Sequence, residues 1–598
     1  MWFAVLPDGQ AARTAARLLG ERAGRLIAHG SGRPWLLGRW PDDQVVVAEA
    51  GRARLAVIGR CPVTAGELSA MLGGMESVEG VERIARRLAG SFHLVASIGG
   101  RVRVRGSASG VRRVFHARLD GATVGAGRCD VLAAAIDAPV DERVLAARLL
   151  TPGALPMVEE SSAWRGVTAV PPDHCLLLEP DGGASTGRWW QVPEPAVSLA
   201  DGALAVREAL SAAVDSCTVG GGTVSADLSG GLDSTSLCFL ASRGRAALVT
   251  NHHRGTDPHN DDAGWAGQAA AALPDARHLT VSRERTPMWF AGLNGAPTGL
   301  EDPGAWPRNP ARLNDVTGRM TAAGSRLHLT GSGGDEVFRL SPRHLHDLVR
   351  DHPLRALPRI RAHRLHHRQP LWSLLRALGE RGTYRGWLTR AAEDLAAGGQ
   401  APRWPSMSWG PAPAMPPWTT SAGVETARAL LREAAATRPE PFATRRAQHI
   451  AVQYARTAGA GVRWLGQAAR RAGLPQAAPC LDDNVLDAAL SVRMEDRERP
   501  GRYKPLLTAA MEGIVPAPLL TRTTKGDYSA DFYASLHRHR GELLEFFGDS
   551  LLAGRGLIDA GALRAALLAP HPTPHILSPL LQTLACEAWL RAQPASCP

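Results

Sequence analysis

Short hydrophobic runs separated by glycine and acidic residues dominate the first third of the chain. Residues 44–48, 92–96 and 175–178 are examples, each about as long as one strand. The glycine and Asp/Gly pairs between the runs are typical of tight turns. The pattern therefore predicts a β-rich region over residues 1 to about 190, which ends at the Pro-rich linker of residues 193–195.

After this linker the hydrophobic spacing becomes that of a helix. Apolar residues in residues 200–217 recur with helical spacing, which predicts an amphipathic helix. Strands and helices then alternate, as in a doubly wound α/β layer, before a helical pattern that continues to about residue 590. Two segments interrupt it: residues 343–381 are crowded with Arg and His, and residues 402–418 are rich in Pro and Trp.

The length and composition fit a globular protein of two domains. A chain of 598 residues is too long for one hydrophobic core, and we predict domains over residues 1–192 and 200–598. We expect no membrane span, because no run of about eighteen or more uncharged apolar residues occurs. Eight scattered cysteines without a Cys-x-x-Cys pair, and an N-terminus without a basic leader, indicate the cytoplasm. The net charge of +11 favours an anionic partner without choosing among ATP, nucleic acid and an acidic peptide.

The strongest chemical signal lies just after a β-prone segment at residues 223–226. Two glycines there let the backbone approach an anion closely, hydroxyl groups donate hydrogen bonds, and the following helix N-terminus adds N–H groups. The lysine of a Walker A loop is absent. We predict a site for an oxygen-rich anion, with Mg²⁺ on Asp233. Its residues are Ser229, Gly230, Gly231, Leu232, Asp233, Ser234 and Thr235.

A second strand-and-turn pattern, in residues 327–338, supplies another carboxylate. A short apolar run leads to Gly331, and Asp335 follows. If the two strands are parallel neighbours, Asp233 and Asp335 stand at the same edge of the sheet. Two carboxylates with phosphate oxygens and water complete a Mg²⁺ shell. The alternative interpretation is that Asp335 and Glu336 only complement the dipole at a helix N-terminus. The presence of the first loop favours the interpretation as a metal site.

Several motifs together resemble those of one enzyme family. Residues 229–234 are similar to the pyrophosphate-binding loop of the ATP pyrophosphatases, and residues 330–338 resemble a segment of the asparagine synthetases. Residues 479–482 and 516–526 are similar to two further motifs of that family. The resemblance implies an enzyme that uses ATP to adenylate a carboxylate and then forms an amide.

The resemblance to the asparagine synthetases also implies roles for individual residues. ATP and Mg²⁺ are the expected cofactors, with Mg²⁺ held by Asp233 and Asp335. The expected catalytic residues are Lys525, Asp233 and Asp335. Expected phosphate contacts outside the first loop are Gly331, Arg522 and Lys525, with Lys504 as a further candidate.

The N-terminal half resembles the glutamine amidotransferase domain of the same family. Residues 88–92 and 170–174 are similar to its Leu-x-Gly-x-Phe and Pro-Pro-Gly-His motifs. The implied fold class is an Ntn-type glutaminase-like β-sandwich followed by a doubly wound α/β ATP pyrophosphatase domain with a helical tail. Where that domain has its nucleophilic cysteine, this chain has Trp2. We therefore expect neither glutamine hydrolysis nor a supply of ammonia.

Ser332 is a second departure from the family pattern. It stands where the asparagine synthetases have a Glu near the reacting amine, and a serine is a poor general base without an activating partner. His328 and the pair Glu301 and Asp302 are candidates for the base, although each is also readily explained as a structural side chain.

Without an ammonia source, the amine belongs to the substrate, as in the lasso peptide cyclases and the β-lactam synthetases. The chain resembles the cyclases more closely. This implies a macrolactam synthetase of ribosomal antibiotic-peptide biosynthesis, which joins an Asp or Glu side chain of a core peptide to its N-terminal amine. The implied partners are the precursor peptide, a leader peptidase and a leader-binding protein.

Open alternatives are a β-lactam synthetase-like or ammonia-dependent asparagine synthetase-like ligase, a non-catalytic scaffold and an RNA-modifying ATP pyrophosphatase. No RNA-binding module is visible, so we expect no nucleic-acid partner.

Overall fold

The computed structural model of the protein describes most of its 598 residues. The described residues are 1–152, 155–255, 257, 260–295, 299–304, 309–398, 404, 406–499, 501–524, 526, 529–571 and 574–593. The strands are β1 Trp2–Val5, β2 Arg25–Ala28, β3 Pro34–Arg39, β4 Val45–Ala50, β5 Ala53–Arg60, β6 Ser91–Ile98, β7 Arg101–Arg105, β8 Phe115–Leu119, β9 Ala122–Ala126, β10 Thr168–Ala169, β11 His174–Leu178, β12 Ala184–Arg188, β13 Thr223–Asp227, β14 Ala247–His253, β15 Arg277–Val281, β16 Ser325–Leu329 and β17 Gln476–Ala477.

The α-helices range from single turns to the long helix that crosses the C-terminal part. In chain order they are α1 Arg13–Gly20, α2 Ala65–Leu72, α3 Glu82–Ala85, α4 Cys129–Ala135, α5 Glu142–Arg148, α6 Pro156–Glu159, α7 Leu199–Thr218, α8 Leu232–Ala241, α9 Asp262–Ala271, α10 Pro310–Ala322, α11 Gly334–Phe338, α12 His344–Asp351, α13 Pro353–His367, α14 Leu371–Leu378, α15 Tyr384–Glu393, α16 Ser421–Ala436, α17 Arg446–Arg471, α18 Asp483–Leu490, α19 Pro505–Met511, α20 Ser529–Arg538, α21 Arg540–Phe546, α22 Leu551–Gly554, α23 Ala560–Leu568 and α24 Leu577–Arg591.

Two six-stranded antiparallel sheets form the N-terminal part, in the orders β10-β8-β9-β1-β3-β2 and β12-β11-β7-β6-β5-β4. Alternate residues of each strand point to opposite faces, so Phe3 and Val5 of β1 meet Val102 and Val104 of β7 between the sheets. Helices α1 and α4 cover the outer face of the first sheet, and α2 and α3 cover that of the second. The hydrophobic runs predicted as strands lie in β4, β6 and β11, which confirms the β-rich prediction.

A five-stranded parallel sheet opens the C-terminal part, in the order β15-β14-β13-β16-β17. Strands β13 and β16 are neighbours, with Ala226 opposite Leu329. The strand order reverses at this pair, and open α/β sheets bind ligands in the crevice at such a point. The helix predicted over residues 200–217 is α7, which buries Val206, Leu210 and Val214 in the core of this layer.

A second hydrophobic core lies in the helical body formed by α15, α16 and α20 to α24. Trp418 and Trp589 are buried in it. Helices α5 and α6, which belong to the N-terminal half of the sequence, also pack into this body through Leu145 and Val158. The predicted domain boundary between residues 192 and 200 stays a prediction.

The predicted fold class is confirmed: a two-sheet N-terminal part precedes a parallel α/β layer with a helical tail. The tail ends with α24 at Arg591, close to the predicted residue 590. In the part of the chain that the structure describes, no helix has both the length and the apolar character needed to cross a bilayer.

Candidate active site

The first glycine loop connects β13 to α8 in a conformation that requires glycine. Gly230 has a φ of 87°, in the left-handed region. A Cβ atom at this position would lie 2.4 Å from the carbonyl oxygen of Asp262, far inside van der Waals contact. The close approach of the first turn of α9 therefore fixes the path of this loop.

Hydroxyl and N–H groups line the same loop. Ser229 and Ser234 form a hydrogen bond of 2.8 Å between their hydroxyls, and the Gly231 N–H donates to the Ser229 hydroxyl over 3.3 Å. Leu232 and Thr235 are buried at the start of α8. Within the described residues no side chain caps this helix, so its first-turn N–H groups keep hydrogen-bonding capacity for an anion.

The second glycine loop, between β16 and α11, packs directly on the first. A Cβ atom on Gly331 would lie 3.1 Å from the backbone nitrogen of Ser234, and one on Gly334 would lie 2.3 Å from Cγ of Asp233. Only glycines permit this approach. Asp335 follows Gly334 in the first turn of α11. The structure thus brings together the two carboxylates that the sequence places after neighbouring strands.

A buried lysine joins these carboxylates. The Lys504 ammonium donates to both carboxylate oxygens of Asp233, over 2.5 and 2.6 Å, and lies 2.9 Å from Oδ1 of Asp335. The Lys504 side chain is 1% exposed. Burial alone would lower the pKa of Lys504, but the charges of Asp233 and Asp335 outweigh burial and raise this pKa above its ordinary value. Lys504 is therefore a fixed positive charge at neutral pH.

Two more ionisable side chains lie beside this pair of carboxylates. The Tyr503 hydroxyl donates to Oδ1 of Asp335 over 2.8 Å. Burial, with a contribution from the Asp335 charge, raises the pKa of Tyr503 to about 12. Burial also raises the pKa of Glu336, and the neighbouring Asp335 charge adds to that effect. The site therefore holds Tyr503 in its neutral form.

Lys504 reaches its position through a left-handed backbone conformation, with φ 48° and ψ 60°, immediately before Pro505. A residue with a Cβ atom pays of order 1–2 kcal/mol for this conformation. Such residues concentrate at functional sites. In the sequence, Lys504 is only one lysine at the start of a helix. Neither the conformation nor the contact with Asp233 is visible there.

Arg522 is buried against the first loop. Its guanidinium donates to the Gly230 carbonyl over 2.7 Å and to the carboxylates of Asp261 and Asp262 over 2.8 and 2.5 Å. Arg522 therefore positions the loop relative to α9, and the phosphate contact expected for it stays a prediction. The expected catalytic residue Lys525 lies outside the described residues.

His328, considered as a general base, is a structural residue within the sheet. Its Nδ1 lies 2.9 Å from the Ser225 hydroxyl and its Nε2 lies 3.3 Å from Oδ1 of Asp227. The residue is 1% exposed. Both ring nitrogens therefore have partners inside the protein, and His328 is not exposed to a substrate.

The pair Glu301 and Asp302 lies where the N-terminal sandwich meets α17. Glu301 accepts a hydrogen bond of 2.5 Å from Arg463 of α17, and Asp302 accepts one of 3.0 Å from the Ala163 N–H. Ser332 lies in the second glycine loop, with its hydroxyl 2.9 Å from that of Thr330. Ser332 therefore shares a loop with the carboxylate site, whereas the candidates for the base, His328 and the pair Glu301 and Asp302, have structural partners elsewhere.

The donor set fits a Mg²⁺ ion that arrives with phosphate. The oxygens of Asp233 and Asp335 already contact the Lys504 ammonium, so a Mg²⁺ ion would bind to the remaining lone pairs of these oxygens. Magnesium in nucleotide enzymes commonly takes one or two carboxylates and completes its octahedron with phosphate oxygens and water. Among the described residues no group of three or more His, Cys, Asp or Glu could hold a metal alone. The Mg²⁺ site predicted on Asp233 and Asp335 stays a prediction.

Comparison with known families identifies the family of the chain. The family model of asparagine synthase matches residues 205–591, which is more than half of the chain. The chain belongs to this family, and it is therefore an ATP-dependent amide-forming ligase by class. A search of curated proteins gave no match.

Two solved structures show limited similarity. One is described as the allosteric regulatory enzyme of purine biosynthesis, with 9% identity over 47% of this chain and 80% of that chain, and a TM-score of 0.22. The other is glutamine phosphoribosylpyrophosphate amidotransferase from B. subtilis, with 9% identity over 55% of this chain and 81% of that chain, and a TM-score of 0.21. At these scores neither structure supports an argument about fold or function.

Proposed function

We propose that the protein is a macrolactam synthetase of the lasso peptide cyclase type. It uses ATP to adenylate an Asp or Glu side chain of a core peptide and then joins that carboxyl group to the peptide's N-terminal amine. The observation that carries the proposal is the Lys504 ammonium held between Asp233 and Asp335, beside the first turn of α8.

The first step is the attack of a carboxylate oxygen on the α-phosphorus of ATP. The bond from that phosphorus to the bridging oxygen breaks, and pyrophosphate leaves with the electron pair. Lys504 supplies a preorganised positive charge where negative charge develops, an arrangement that commonly accounts for a large part of rate enhancement. The first-loop N–H groups and the hydroxyls of Ser229 and Ser234 bind the pyrophosphate. Mg²⁺ on Asp233 and Asp335 would neutralise phosphate charge when bound.

The second step is the attack of the amine nitrogen on the acyl carbonyl carbon. AMP leaves with the electron pair of the broken C–O bond, the amine loses a proton, and the product is lighter than the peptide by one water. The enzyme holds both ends of one peptide in reacting geometry, so a bimolecular step becomes effectively unimolecular. This orientation can lower the barrier by roughly 7–11 kcal/mol.

The N-terminal sandwich supports a substrate-borne amine. Trp2 lies in β1, paired with Arg39 of β3, and its side chain borders the cavity between the sandwich and the C-terminal part. An indole ring cannot attack the amide of glutamine. Cys217 is the only cysteine among the described residues that line this cavity, and it is buried on α7. Ammonia from glutamine is therefore not the expected nucleophile.

A broad surface on α13 and α14 supports a peptide substrate. It combines exposed apolar side chains, among them Leu354 and Trp372, with the arginines of α13. Arg359 of this helix donates to the Glu495 carbonyl over 3.0 Å, so the surface is fixed to the segment that leads to Tyr503. A surface with both apolar and cationic groups complements an extended peptide that carries carboxylates.

The direct test is pyrophosphate release from ATP·Mg²⁺ with the candidate core peptide, for the wild type and for Asp233→Asn. We expect release only with the peptide, its loss in the variant, and a product lighter by one water. Lys504→Arg is the variant to compare with Asp233→Asn, because it keeps the positive charge of residue 504 but changes the shape of the cationic group. Release with aspartate and ammonium would assign an asparagine synthetase-like activity instead, and release with a small β-amino acid derivative a β-lactam synthetase-like one. No release with any carboxylate would leave the scaffold hypothesis.

A further inference from the structure

A cavity of about 400 Å³ lies between the N-terminal sandwich and the C-terminal part. Strand ends of the sandwich form one wall, and one face of α17 forms the other, because residues 462, 463, 466, 467, 470 and 471 follow helical spacing. The volume falls in the range of small-molecule binding sites. The segment Pro479–Leu481 borders it, and the same segment packs Leu481 against the second glycine loop at Gly333.

Arginines dominate the walls of this cavity, and four of them have partners within the protein. Arg128 pairs with Asp130 at 2.5 Å, and Arg463 pairs with Glu301 at 2.5 Å. The other two donate to backbone carbonyls: Arg113 to Glu160 over 3.0 Å and Arg471 to Gly299 over 2.6 Å.

The acidic residues on the cavity walls also have partners within the protein. Asp482 uses both carboxylate oxygens to accept the backbone N–H groups of Gly90 and Asn484, at 2.8 and 2.9 Å. Asp483 accepts from Arg105 at 2.9 Å and from the Ala108 N–H at 2.8 Å. Asp130 receives two hydrogen bonds from Arg128. These carboxylates are therefore not available to the remaining arginines. Asp43, which is exposed and lies outside the cavity walls, raises the pKa of Arg470, but by less than burial and the charge of Arg60 lower it.

Three half-buried cavity arginines, Arg60, Arg112 and Arg470, have no carboxylate within ion-pair distance among the described residues. Arg112 donates its Nε–H to the Ser91 hydroxyl over 3.0 Å. Its Nη2 lies beside Gly59, next to Arg60 in the chain. Burial, with the charges of Arg470 and Arg60, lowers the pKa of Arg112 to about 9, and burial with the charge of Arg60 lowers that of Arg470. Like charges gathered in this way destabilise the protein unless an anion joins them.

We propose that this cavity binds a small phosphate-bearing anion of at least two negative charges through Arg60, Arg112 and Arg470. Guanidinium groups bind phosphate oxygens in bidentate fashion. A phosphate or pyrophosphate group concentrates two or more charges and several acceptor oxygens in a small volume, whereas one carboxylate brings a single charge. The proposal concerns a second site, separated from the synthetase site by Pro479–Leu481, and it does not depend on which amide the enzyme forms.

The test is calorimetric titration of the full-length protein with inorganic pyrophosphate, without Mg²⁺ and with a chelator present. We expect Arg112→Gln and Arg470→Gln each to weaken binding about tenfold or more, since each removes a charge-assisted hydrogen bond. In the proposed mechanism the first glycine loop also binds pyrophosphate, so Ser229→Ala should affect only a binding event that does not depend on Arg112. Arg361→Gln, on the exposed face of α13, is the control that should leave all pyrophosphate binding unchanged. Titration with AMP identifies the source: binding tighter than that of pyrophosphate, and equally dependent on Arg112, indicates a nucleotide.

Thermal unfolding without ligand provides a second readout. A purely structural arginine stabilises the fold, whereas an arginine held among like charges does not. We therefore expect Arg112→Gln to unfold at a higher temperature than the wild type and to lose the stabilisation by pyrophosphate, while Arg463→Gln, which breaks a pair with Glu301, unfolds at a lower temperature. Unchanged pyrophosphate affinity in both cavity variants would overturn the proposal. So would Arg112-dependent binding of citrate or glutamate without binding of pyrophosphate.

Discussion

The buried Lys504 and the three half-buried cavity arginines lie on either side of Pro479–Leu481, and they differ in what neutralises their charge. Lys504 is held by Asp233 and Asp335 at 2.5–2.9 Å. The three cavity arginines are held by no carboxylate among the described residues. Lys504 is neutralised within the protein and, in the proposed mechanism, supplies a fixed charge near ATP, whereas the proposal for the arginines is that an anion neutralises them. A cation inside the protein can thus supply a fixed charge or bind an anion, and the carboxylates beside the cation distinguish these two functions.

The largest expected effect is that of Lys504→Met. This change removes a preorganised charge, so we expect the rate of pyrophosphate release to fall by roughly 10²–10³-fold or more. It also leaves two half-buried carboxylates close together without a counter-charge, which lowers the unfolding free energy by at most about 3–5 kcal/mol. The double variant Lys504→Met/Asp335→Asn should recover part of that stability, measured by denaturant unfolding, but none of the activity. Recovered activity would show that Lys504 has only a structural role.

Gly230→Ala should have the next largest effect. Its Cβ atom would lie 2.4 Å from the Asp262 carbonyl oxygen, so the loop or α9 must move. We expect a loss of about 2–4 kcal/mol of unfolding free energy, together with a higher KM for ATP. Gly221→Ala is the matched control. Gly221 also has a positive φ, of 65°, but a Cβ atom there would meet nothing within 4 Å, and its cost should be about 1–2 kcal/mol. Equal losses in the two variants would contradict a role for close packing in the loop.

Arg522→Lys tests whether Arg522 positions the first loop. A lysine keeps the charge but cannot donate simultaneously to the Gly230 carbonyl and to Asp261 and Asp262 in the same fork. We expect about a tenfold increase in KM for ATP with a smaller change in kcat, read from steady-state kinetics. A change confined to kcat would instead point to contact with the transferring phosphate.

Asp482 offers the smallest effect, a change in the pH dependence of stability. Burial and the nearby Asp483 charge raise the pKa of Asp482 to about 7, from an ordinary value near 3.8. The folded protein therefore binds this proton more tightly than the unfolded chain. The contribution is fully present below about pH 4 and is lost as the pH rises to about 7. In Asp482→Asn, the difference in unfolding free energy between pH 5 and pH 8 should be smaller than in the wild type. An unchanged difference would show that Asp482 does not titrate in this range.

Local sequence signals reveal the two glycine loops, and they name Lys504 only as a further phosphate candidate, not as the partner of Asp233 and Asp335. Gly230, Asp233 and Asp335 follow short strands, so strand periodicity and glycine chemistry are enough to place them. Lys504 is 271 residues from Asp233 in the chain, and its left-handed conformation depends on the packing of α19. No local pattern encodes either fact.

The cavity arginines show the same limit. Arg60, Arg112 and Arg470 come from β5, a loop and α17, and each is unremarkable among the many arginines of the chain. Only the fold brings them together. The packing of α5 and α6 into the helical body is also hidden from the sequence, because the hydrophobic spacing of a short helix does not identify the core that it joins.

The most direct test of the adenylation mechanism is the transfer of ¹⁸O from a core peptide labelled in its side-chain carboxyl groups. If a carboxylate oxygen attacks the α-phosphorus, one labelled oxygen must appear in AMP when the amine closes the ring. We predict this label in AMP, none in pyrophosphate, and no transfer with Lys504→Met. Label in inorganic phosphate together with ADP, or macrolactam formation without label in AMP, would contradict the proposed mechanism.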